Sequence, residues 1–454
     1  MTRMTRLYKI LKVVSAALFA LAFAACEPDF DFNTEFEHGN MPGNGGPVGD
    51  RRPNEEIRNV LVLYSAGYNS ISSYLKEDIE DLKKGWLPKN GRCENVMLVY
   101  SHQPVSGGNY SAGNPPVLMR LWEGQDGKAA VDTLVIYDEA VRSASAAQFN
   151  EVLTYVRDEF PAKSYGMVFS SHATGYLPAG YYTNPYKYVY GDNVLLGLSS
   201  AYRDRFVPYV APVYDPGHPA VKSIGQDHVI EGGASRSYEI ELQDFADAIP
   251  MYFDYILFDA CLMGGVEVAY ELRDKCGYVG FSQTEVLAEG FDYTMLATHL
   301  LKNDSPDPLQ VCMDYFNQYD IQTGIYRSAT ISMVDCSAMD ALASACKELF
   351  EKYRGSVSAL DPDDVQRYFR ADYHWSYDLQ DVLSKAGVSE GEMAVLEDAL
   401  DKCIVYKAST PDFMGSFRIR TYSGLSMYLP CDGSSELDKY YRTLQWNIDT
   451  GLVE

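Results

Sequence analysis

The sequence predicts an α/β fold in which helices cover both faces of a mainly parallel sheet. Over residues 55–295, short apolar runs typical of buried strands alternate with stretches of helical periodicity. Such alternation indicates strand–helix–strand units that build a parallel sheet. Residues 296–454 are mostly helical by the same criterion, with a return to strand at 416–430, so they are predicted to form a helical C-terminal addition.

The elements of this fold can be placed in chain order. Residues 117–121 and 133–137 are candidates for a short antiparallel pair. A helix is predicted at 143–160 because apolar side chains recur there at helical spacing. The other predicted strands lie at residues 59–64, 95–100, 166–171 and 255–260. The other predicted helices lie at residues 71–82, 238–249, 340–353 and 391–406.

Residues 176–235 interrupt this alternation. They are rich in Tyr, Gly, Pro and Asp and have no steady period. An insertion of this length inside a compact domain is uncommon and is usually functional. It is therefore predicted to be a lid, a pocket wall or a processing loop.

A cysteine and a histidine follow two of the predicted strands. The run 255–260 ends at Cys261, and the run 166–171 ends at His172. Functional residues of α/β sheets gather at the carboxyl ends of the strands, where a thiol and its base can meet. If the two strands are neighbours, the pair predicts a cysteine hydrolase. His102 also follows a predicted strand and is the rival candidate for the base.

Asp259 lies two residues before Cys261. Alternate residues of a strand project to the same side of the sheet, so this carboxylate is predicted to line the pocket beside the thiol. The competing interpretation is that Asp259 caps a turn or the next helix.

The N-terminus predicts export and a lipid anchor. Residues 1–26 combine a basic start with the apolar run 13–25, which is too short to span a membrane. The small residues before Cys26 resemble a bacterial lipobox, in which the cysteine carries the lipid; an ordinary signal peptide is the alternative. Residues 27–54, rich in Gly, Pro and Asn, are predicted to be a flexible tether. We therefore expect a bacterial outer-membrane lipoprotein, periplasmic or surface-exposed, that meets the membrane through its N-terminal lipid.

The charge balance argues against nucleic acid as a partner. The formal net charge is −25 and the pI is about 4.6, so polyanions are repelled and basic substrates are attracted. The cysteines form no CxxC pair, and the Cys and His residues form no cluster with the spacing of zinc ligands. No cofactor is predicted.

Several short segments carry a family resemblance. The block DACLMG at 259–264 is the most specific, and SHATGY at 171–176 is similar to a His-Gly-x-Gly-Trp motif. Further matching segments lie at residues 61–69, 222–227, 282–285, 290–293 and 424–430. Their order and spacing resemble the clostripain family of cysteine peptidases, which have a caspase-like fold and are related to gingipains and legumains.

The resemblance implies a cysteine endopeptidase with a Cys–His dyad. Cys261 is then the nucleophile, and His172 protonates the leaving amine. The backbone amides of Ala173 and Cys261 are the expected oxyanion hole. Ala173 stands where the family has Gly, and Tyr176 where it has Trp. Alanine keeps the N–H donor, provided that the backbone at this position does not need a positive φ.

The family usually cleaves after Arg or Lys, and an acidic pocket is the physical reason. Asp259 is the expected carboxylate of that pocket. A second is expected from the loop after the next strand, where Glu285, Glu289 and Asp292 are candidates; Glu289 and Asp292 are assigned to the pocket. The expected substrates are proteins or peptides with basic residues. Two alternatives stay open: the same dyad with another residue preference, and a catalytically weak surface-binding lipoprotein of caspase-like fold.

Self-cleavage after a basic residue and dependence on calcium both occur in the family. Arg203, Arg205 and Lys222, within the insertion 176–235, are the candidate cleavage positions. The acidic stretches of the chain do not form an EF-hand loop, so calcium binding remains an open alternative and is not predicted.

Overall fold

The computed structural model describes residues 57–90, 94–105, 110, 113–181, 205–208, 221–222, 225–231, 233–370 and 374–454. A nine-stranded sheet organises this part of the chain. Its five central strands are parallel to one another, and two antiparallel strands follow on each side. In spatial order the strands are β15 (Ile404–Ser409), β13 (Thr330–Asp335), β11 (Cys276–Phe281), β10 (Phe253–Asp259), β5 (Ala162–Ser170), β1 (Ile57–Ala66), β2 (Asn95–His102), β3 (Val117–Glu123) and β4 (Ala129–Ile136).

Shorter strands and eleven α-helices complete the elements found in the described residues. The small sheets are β6 (Arg205–Pro208) with β9 (Ala234–Glu239) and β8 (Asp227–Glu231), β7 (Val221–Lys222) with β12 (Val286–Leu287), β14 (Tyr377–Asp378) with β18 (Ser426–Met427), and β16 (Asp412–Phe413) with β17 (Phe417–Arg418). The helices are α1 (Ser72–Lys84), α2 (Ala146–Glu159), α3 (Leu242–Asp247), α4 (Val266–Glu271), α5 (Tyr293–Ala297), α6 (Pro308–Asp320), α7 (Met339–Val357), α8 (Leu379–Lys385), α9 (Glu390–Cys403), α10 (Ser435–Tyr441) and α11 (Gln445–Thr450). A π-helical turn, Thr298–Lys302, continues α5, and single 3₁₀ turns lie at Gly324–Tyr326, Cys336–Ala338, Pro362–Asp364 and Pro430–Asp432.

The central strands form because nearly all of their side chains can be buried on both faces of the sheet. β2 is buried along its whole length, and β1 along all but one residue. On one face an aromatic cluster joins the sheet to two helices: Phe149 of α2 stacks on Phe245 of α3, with ring centroids 4.5 Å apart, and both contact Phe169 of β5. Each such buried ring contributes about 1.5–3 kcal/mol of hydrophobic stabilisation.

The predicted α/β class, with a mainly parallel sheet flanked by helices, is confirmed. The predicted strands at 59–64 and 95–100 are the cores of β1 and β2. Those at 117–121 and 133–137 overlap β3 and β4, which pair antiparallel as expected. The strands before His172 and Cys261 are β5 and β10.

Three predictions in the second half of the chain need correction. The strand predicted over 416–430 is wrong, because only β17 and β18, of two residues each, lie there. The helix predicted over 238–249 is wrong in its first residues, which belong to β9. The helix predicted over 391–406 ends too late, because β15 begins at Ile404 directly after α9.

Two strands of the C-terminal region join the main sheet. Helices α6 to α11 supply the helical content predicted for 296–454, but β13 and β15 extend the sheet beyond β11. All described residues belong to one compact unit, Gly49–Glu454. The predicted signal, the lipidation residue Cys26 and the whole of the predicted tether lie outside the described residues. In the described part of the chain, no helix combines the length and the apolar character needed to cross a membrane.

Candidate active site

His172 and Cys261 follow neighbouring strands of the sheet. β5 and β10 pair in parallel, with Ser170 opposite Asp259. His172 and Cys261 each lie two residues beyond this last pair. Because the two residues lie the same number of positions beyond a paired position, both are at the carboxyl edge of the sheet, on adjacent strands. The sequence predicted this edge and this pair, and the sheet order supplies the adjacency that the prediction required.

A tight turn holds the cysteine. Leu262, the residue after Cys261, has φ of 58°, a left-handed conformation that is uncommon for residues other than glycine. Its amide donates to the carbonyl of Thr284 at 2.9 Å, which ties the turn to the segment after β11. The amide of Val286 donates to Sγ of Cys261 at 3.2 Å, and the cysteine is 1% exposed. The sulfur therefore accepts a hydrogen bond from the main chain, and as a thiol it donates to the carbonyl of the same Val286 at 3.8 Å.

The histidine loop contacts the cysteine loop through a glycine. Gly175, with φ of 63°, lies so close to the other loop that a Cβ added there would be 2.4 Å from the carbonyl oxygen of Leu262. Both the positive φ and the close approach require glycine at this position. His172 itself is 9% exposed, and its Nε2 lies 3.0 Å from Oγ of Ser70.

Alanine is accommodated after the histidine. Ala173 is fully buried and is not among the described residues that have a positive φ. The backbone here does not need glycine, so the departure from the His-Gly pattern leaves the N–H donor in place. Tyr176, the other departure, donates a hydrogen bond from its hydroxyl to the carbonyl of Trp375 at 2.5 Å and packs edge-on against Tyr441.

Asp259 is a buried carboxylate beside the cysteine. It is fully buried, and its Oδ2 accepts hydrogen bonds from the hydroxyl of Tyr293 at 2.7 Å and from that of Ser170 at 3.4 Å. It does not cap the following helix, because the N-cap of α4 is Gly265. The part of the competing interpretation that made Asp259 a helix cap is therefore wrong.

The other predicted pocket carboxylates have different surroundings. Glu289 is exposed. Asp292 is the N-cap of α5: its Oδ1 accepts from the amides of Thr294 and Met295, at 3.0 and 3.3 Å. Glu285, the third candidate, is buried and forms an ion pair with Arg370, whose Nε lies 2.8 Å from Oε2.

His102, the rival base, lies away from the cysteine. It ends β2, which β1 and β5 separate from β10. Its Nδ1 lies 2.9 Å from Oγ of Ser143, which in turn donates to the buried Asp227 at 2.6 Å, and its ring stacks on Tyr68. His102 therefore holds the end of the insertion against the sheet and is not placed to serve Cys261.

One strand of the insertion pairs with the segment that contacts the cysteine. β7 runs antiparallel to β12, with Lys222 opposite Val286 and Val221 opposite Leu287. Val286 is the residue whose amide reaches the sulfur. β7, which ends at Lys222, therefore pairs with the strand that lies next to the predicted nucleophile.

Similarity to known proteins identifies the family. A model of the clostripain family matches residues 63–193 and 213–451. The chain belongs to the clostripain family. It is therefore a cysteine peptidase of that family, as the resemblance implied. No curated protein matches it.

Solved structures show the same fold. This clostripain-family chain is similar to an inactive zymogen C11 protease from Parabacteroides distasonis, with 25% identity and a TM-score of 0.66 over 88% of this chain and 99% of the other. It also resembles a secreted C11 cysteine protease from Bacteroides thetaiotaomicron in complex with an irreversible peptide inhibitor, with 22% identity and a TM-score of 0.64 over 87% and 99% of the two chains.

The C-terminal segment 424–430 supports the cysteine loop of this clostripain-family peptidase. The amide of Ser426 donates to the carbonyl of Gly264 at 2.9 Å. Gln283, fully buried behind the loop, donates from Nε2 to the carbonyl of Gly424 at 2.8 Å and to Oγ of Ser332 at 2.6 Å. The last of the matching segments is therefore structural, because it braces the turn that carries Cys261.

Glu267 is a buried carboxylate on the helix after the cysteine loop. Glu267 and Glu271, four residues apart on α4, have the spacing of a solvated helix face, yet Glu267 is fully buried. Its Oε1 accepts from the amide of Tyr428 at 2.9 Å and from the hydroxyl of Tyr441 at 2.7 Å. Burial raises the pKa of Glu267 from its ordinary value of 4.5 to about 7, although these two hydrogen bonds oppose the rise.

We expect Glu267→Gln to change how stability depends on pH. The folded state holds the Glu267 proton more tightly than the unfolded state, so this stabilisation is complete below pH 4.5 and is lost as the pH rises towards 7. The unaltered protein should therefore lose about 3 kcal/mol relative to the variant over this range. Urea unfolding of both proteins at pH 4.5 and 7.5 measures the difference. The exposed Glu351→Gln is the control, and a Glu267→Gln difference that is equal at both pH values would contradict the assignment.

Several contacts of the site could not be found from the sequence. Ser70 beside His172, Val286 beside Cys261 and Arg370 beside Glu285 are brought in by the fold over separations of 102, 25 and 85 residues. Nothing in their local patterns distinguishes them. Within the described residues, no group of three or more His, Cys, Asp or Glu side chains is placed to hold a metal ion.

Proposed function

We propose that this cysteine peptidase is an endopeptidase that hydrolyses peptide bonds after Arg or Lys with His172 and Cys261 as its dyad. The observation that carries the proposal is the register of β5 and β10, which brings the two residues to one edge of the sheet on neighbouring strands. The contact between Gly175 and the carbonyl of Leu262 supports it, because it joins the loops that carry the dyad.

The reaction proceeds in two halves. The Cys261 thiolate attacks the carbonyl carbon of the scissile bond, and the amides of Ala173 and Cys261 stabilise the negative charge that develops on the oxygen. The His172 imidazolium gives its proton to the amine nitrogen as the C–N bond breaks, which leaves a thioester on Cys261. His172 then takes a proton from water, whose oxygen attacks the thioester; the C–S bond breaks, the acid is released, and the Cys261 thiolate and the His172 imidazolium are restored.

The basic preference rests on Asp259. Its carboxylate is buried next to the nucleophile and accepts hydrogen bonds from the hydroxyls of Tyr293 and Ser170. A buried carboxylate is strongly stabilised by a cation, so an Arg or Lys side chain of the substrate is the fitting partner. Glu289 and Asp292 remain in the proposal as the outer carboxylates of this pocket. The net charge of −25 favours the approach of basic proteins and peptides.

The proposed location follows from the N-terminal sequence. We infer that residues 1–26 direct export, that a lipid on Cys26 holds the peptidase at the bacterial outer membrane, and that residues 27–54 are the tether between the lipid and the peptidase. Peptide substrates would then be met in the periplasm or at the cell surface.

The test is a panel of fluorogenic peptides that end in Arg, Lys, Asn or Asp before the reporter, assayed with and without calcium. Cleavage of the Arg or Lys peptide by the purified protein, and its absence in Cys261→Ala, would support the proposal. Cleavage of only the Asn or Asp peptide would keep the dyad and remove the role given to Asp259. If no peptide is cleaved, even after limited trypsin treatment, the binding-protein alternative replaces the endopeptidase.

We propose that the chain cuts itself, and the pairing of β7 with β12 predicts the position of the cut. We expect cleavage after Lys222, because the β7 backbone pairs beside Cys261 in the antiparallel manner of a bound peptide. Mass spectrometry of the purified protein should find a new N-terminus at Ser223. Lys222→Ala and Cys261→Ala should both remain intact.

Arg205→Ala is the matched control for this cleavage. Arg205 belongs to the same insertion but lies in β6, opposite Glu239 of β9, and β6 does not pair with β12. Cleavage should continue in this variant. Continued cleavage at position 222 in Cys261→Ala would show that another protease makes the cut.

A further inference from the structure

We propose that Ser70 is the positioning residue of His172. This inference rests on the proposed dyad and adds to it a third side chain, which orients the imidazole without touching the substrate. The observation is the distance of 3.0 Å between Oγ of Ser70 and Nε2 of His172. The backbone that carries Ser70 is held in place by the fold, so its hydroxyl has a defined position beside the His172 ring.

The turn that carries Ser70 is rigid. Asn69 is fully buried, and its Nδ2 donates to the carbonyls of Ala66 at 3.0 Å and Gln226 at 2.9 Å. Its Oδ1 accepts from the amide of Ile71 at 3.1 Å. Three hydrogen bonds from one buried side chain thus fix the backbone on both sides of Ser70.

The same turn is bonded to the histidine loop. Ser171, immediately before His172, donates from Oγ to the carbonyl of Ala66 at 2.6 Å, and the amide of Gln226 donates to the same Oγ at 3.4 Å. Ala66 ends β1, and β1 lies beside β5 in the sheet. The backbones that bear Ser70 and His172 are therefore held together independently of the bond between their side chains.

A hydrogen bond between the Ser70 hydroxyl and Nε2 determines which ring nitrogen of His172 exchanges protons. An imidazole has two ring nitrogens, and the hydrogen bond at one of them sets the role of the other. When Ser70 accepts from Nε2–H, Nδ1 becomes the nitrogen that exchanges a proton with the thiol and with the leaving amine. The same bond persists in the imidazolium, which needs an acceptor at Nε2, so Ser70 fixes the ring in the orientation that both halves of the reaction use.

The size of the effect follows from the hydrogen bond. Ser70 is exposed, so water competes for both partners and the bond is of ordinary strength. Its loss is expected to lower kcat about 3- to 10-fold and to leave KM unchanged, because a positioning residue acts on the imidazole and not on substrate binding. A purely structural serine would instead lower the unfolding temperature and the active fraction.

The test compares four full-length variants on the best peptide of the panel: Ser70→Ala, Ser70→Thr, Ser73→Ala and Cys261→Ala. Ser73 is an exposed serine on α1, three residues further along the chain, and serves as the matched control. We expect a lower kcat with unchanged KM in Ser70→Ala, recovery in Ser70→Thr because the hydroxyl is restored, and no change in Ser73→Ala.

Two outcomes would overturn the inference: an unchanged kcat in Ser70→Ala, or a decrease that Ser70→Thr fails to reverse although its unfolding temperature matches that of the unaltered protein. Either result with an inactive Cys261→Ala leaves the proposed dyad intact and removes only Ser70. Turnover by Cys261→Ala at the unaltered rate would instead remove the dyad itself.

Discussion

Replacing Cys261 with Ala is expected to abolish peptide hydrolysis, and His172→Ala is expected to lower kcat/KM about 10³-fold. Alanine at 261 has no nucleophile, so no thioester can form. Alanine at 172 removes the group that stabilises the thiolate and protonates the amine, and general acid–base catalysis of this kind is worth about 10²- to 10⁴-fold. Progress curves with the fluorogenic peptides measure both losses.

The chain offers matched controls for both substitutions. Cys431, which is partly exposed, is another thiol outside the site, so Cys431→Ala should retain full activity. His299 lies on the π-helical turn and pairs with Asp314 at 2.8 Å, so His299→Asn should affect stability and not turnover. The dyad would be contradicted by a His172→Ala variant that is as active as the unaltered protein, or by loss of activity in Cys431→Ala.

Asp259→Asn is expected to lower kcat/KM for Arg and Lys peptides about 10²- to 10³-fold. Removal of one charge of a buried, hydrogen-bonded pair costs about 2–5 kcal/mol, which corresponds to about 30- to 5,000-fold, and the expected decrease lies in the middle of that range. Asparagine keeps the volume of the side chain and an oxygen that can accept from Tyr293. The loss should therefore be much smaller for a peptide with an uncharged residue at the cleavage position, and the ratio of the two kcat/KM values is the measurement.

Two further substitutions separate charge from structure. Tyr293→Phe removes the hydrogen bond to Asp259 but keeps the carboxylate, so the preference for basic residues should survive. Glu289→Gln tests the outer carboxylate, and a small, salt-sensitive decrease is expected because the side chain is exposed. An Asp259→Asn variant that loses activity equally on charged and uncharged peptides would show that Asp259 supports the site and does not select the substrate.

The sequence predicts those parts of the site that depend on a residue type and its place in one element. Cys261 and His172 each follow a strongly apolar run, and the carboxyl ends of parallel strands converge, so their meeting could be predicted without coordinates. Ser70 could not be predicted, because an exposed serine in a turn has no pattern of its own. Ser70 matters because the fold brings it next to His172, which lies 102 residues later in the chain.

The misplaced elements have equally local causes. β15 has exposed residues among half-buried ones, as expected of an edge strand. Because it begins directly after α9, the helical pattern of α9 is easily extended over its first residues in the sequence. The burial of Glu267 cannot be predicted from α4 alone, because nothing on that helix covers the side chain. The cover comes from Tyr428 and Tyr441, more than 160 residues later in the chain.

The left-handed backbone of Leu262 is expected to lower the stability of the fold while it helps to position the catalytic thiol. A leucine held at φ of 58° costs the native state about 1–2 kcal/mol relative to a relaxed backbone. Glycine would relieve that cost but would also let the turn sample many more shapes, and the thiol before it would spend less time in line with a bound peptide. Screens for thermostability are therefore expected to select substitutions at Leu262 that raise the unfolding temperature and lower kcat.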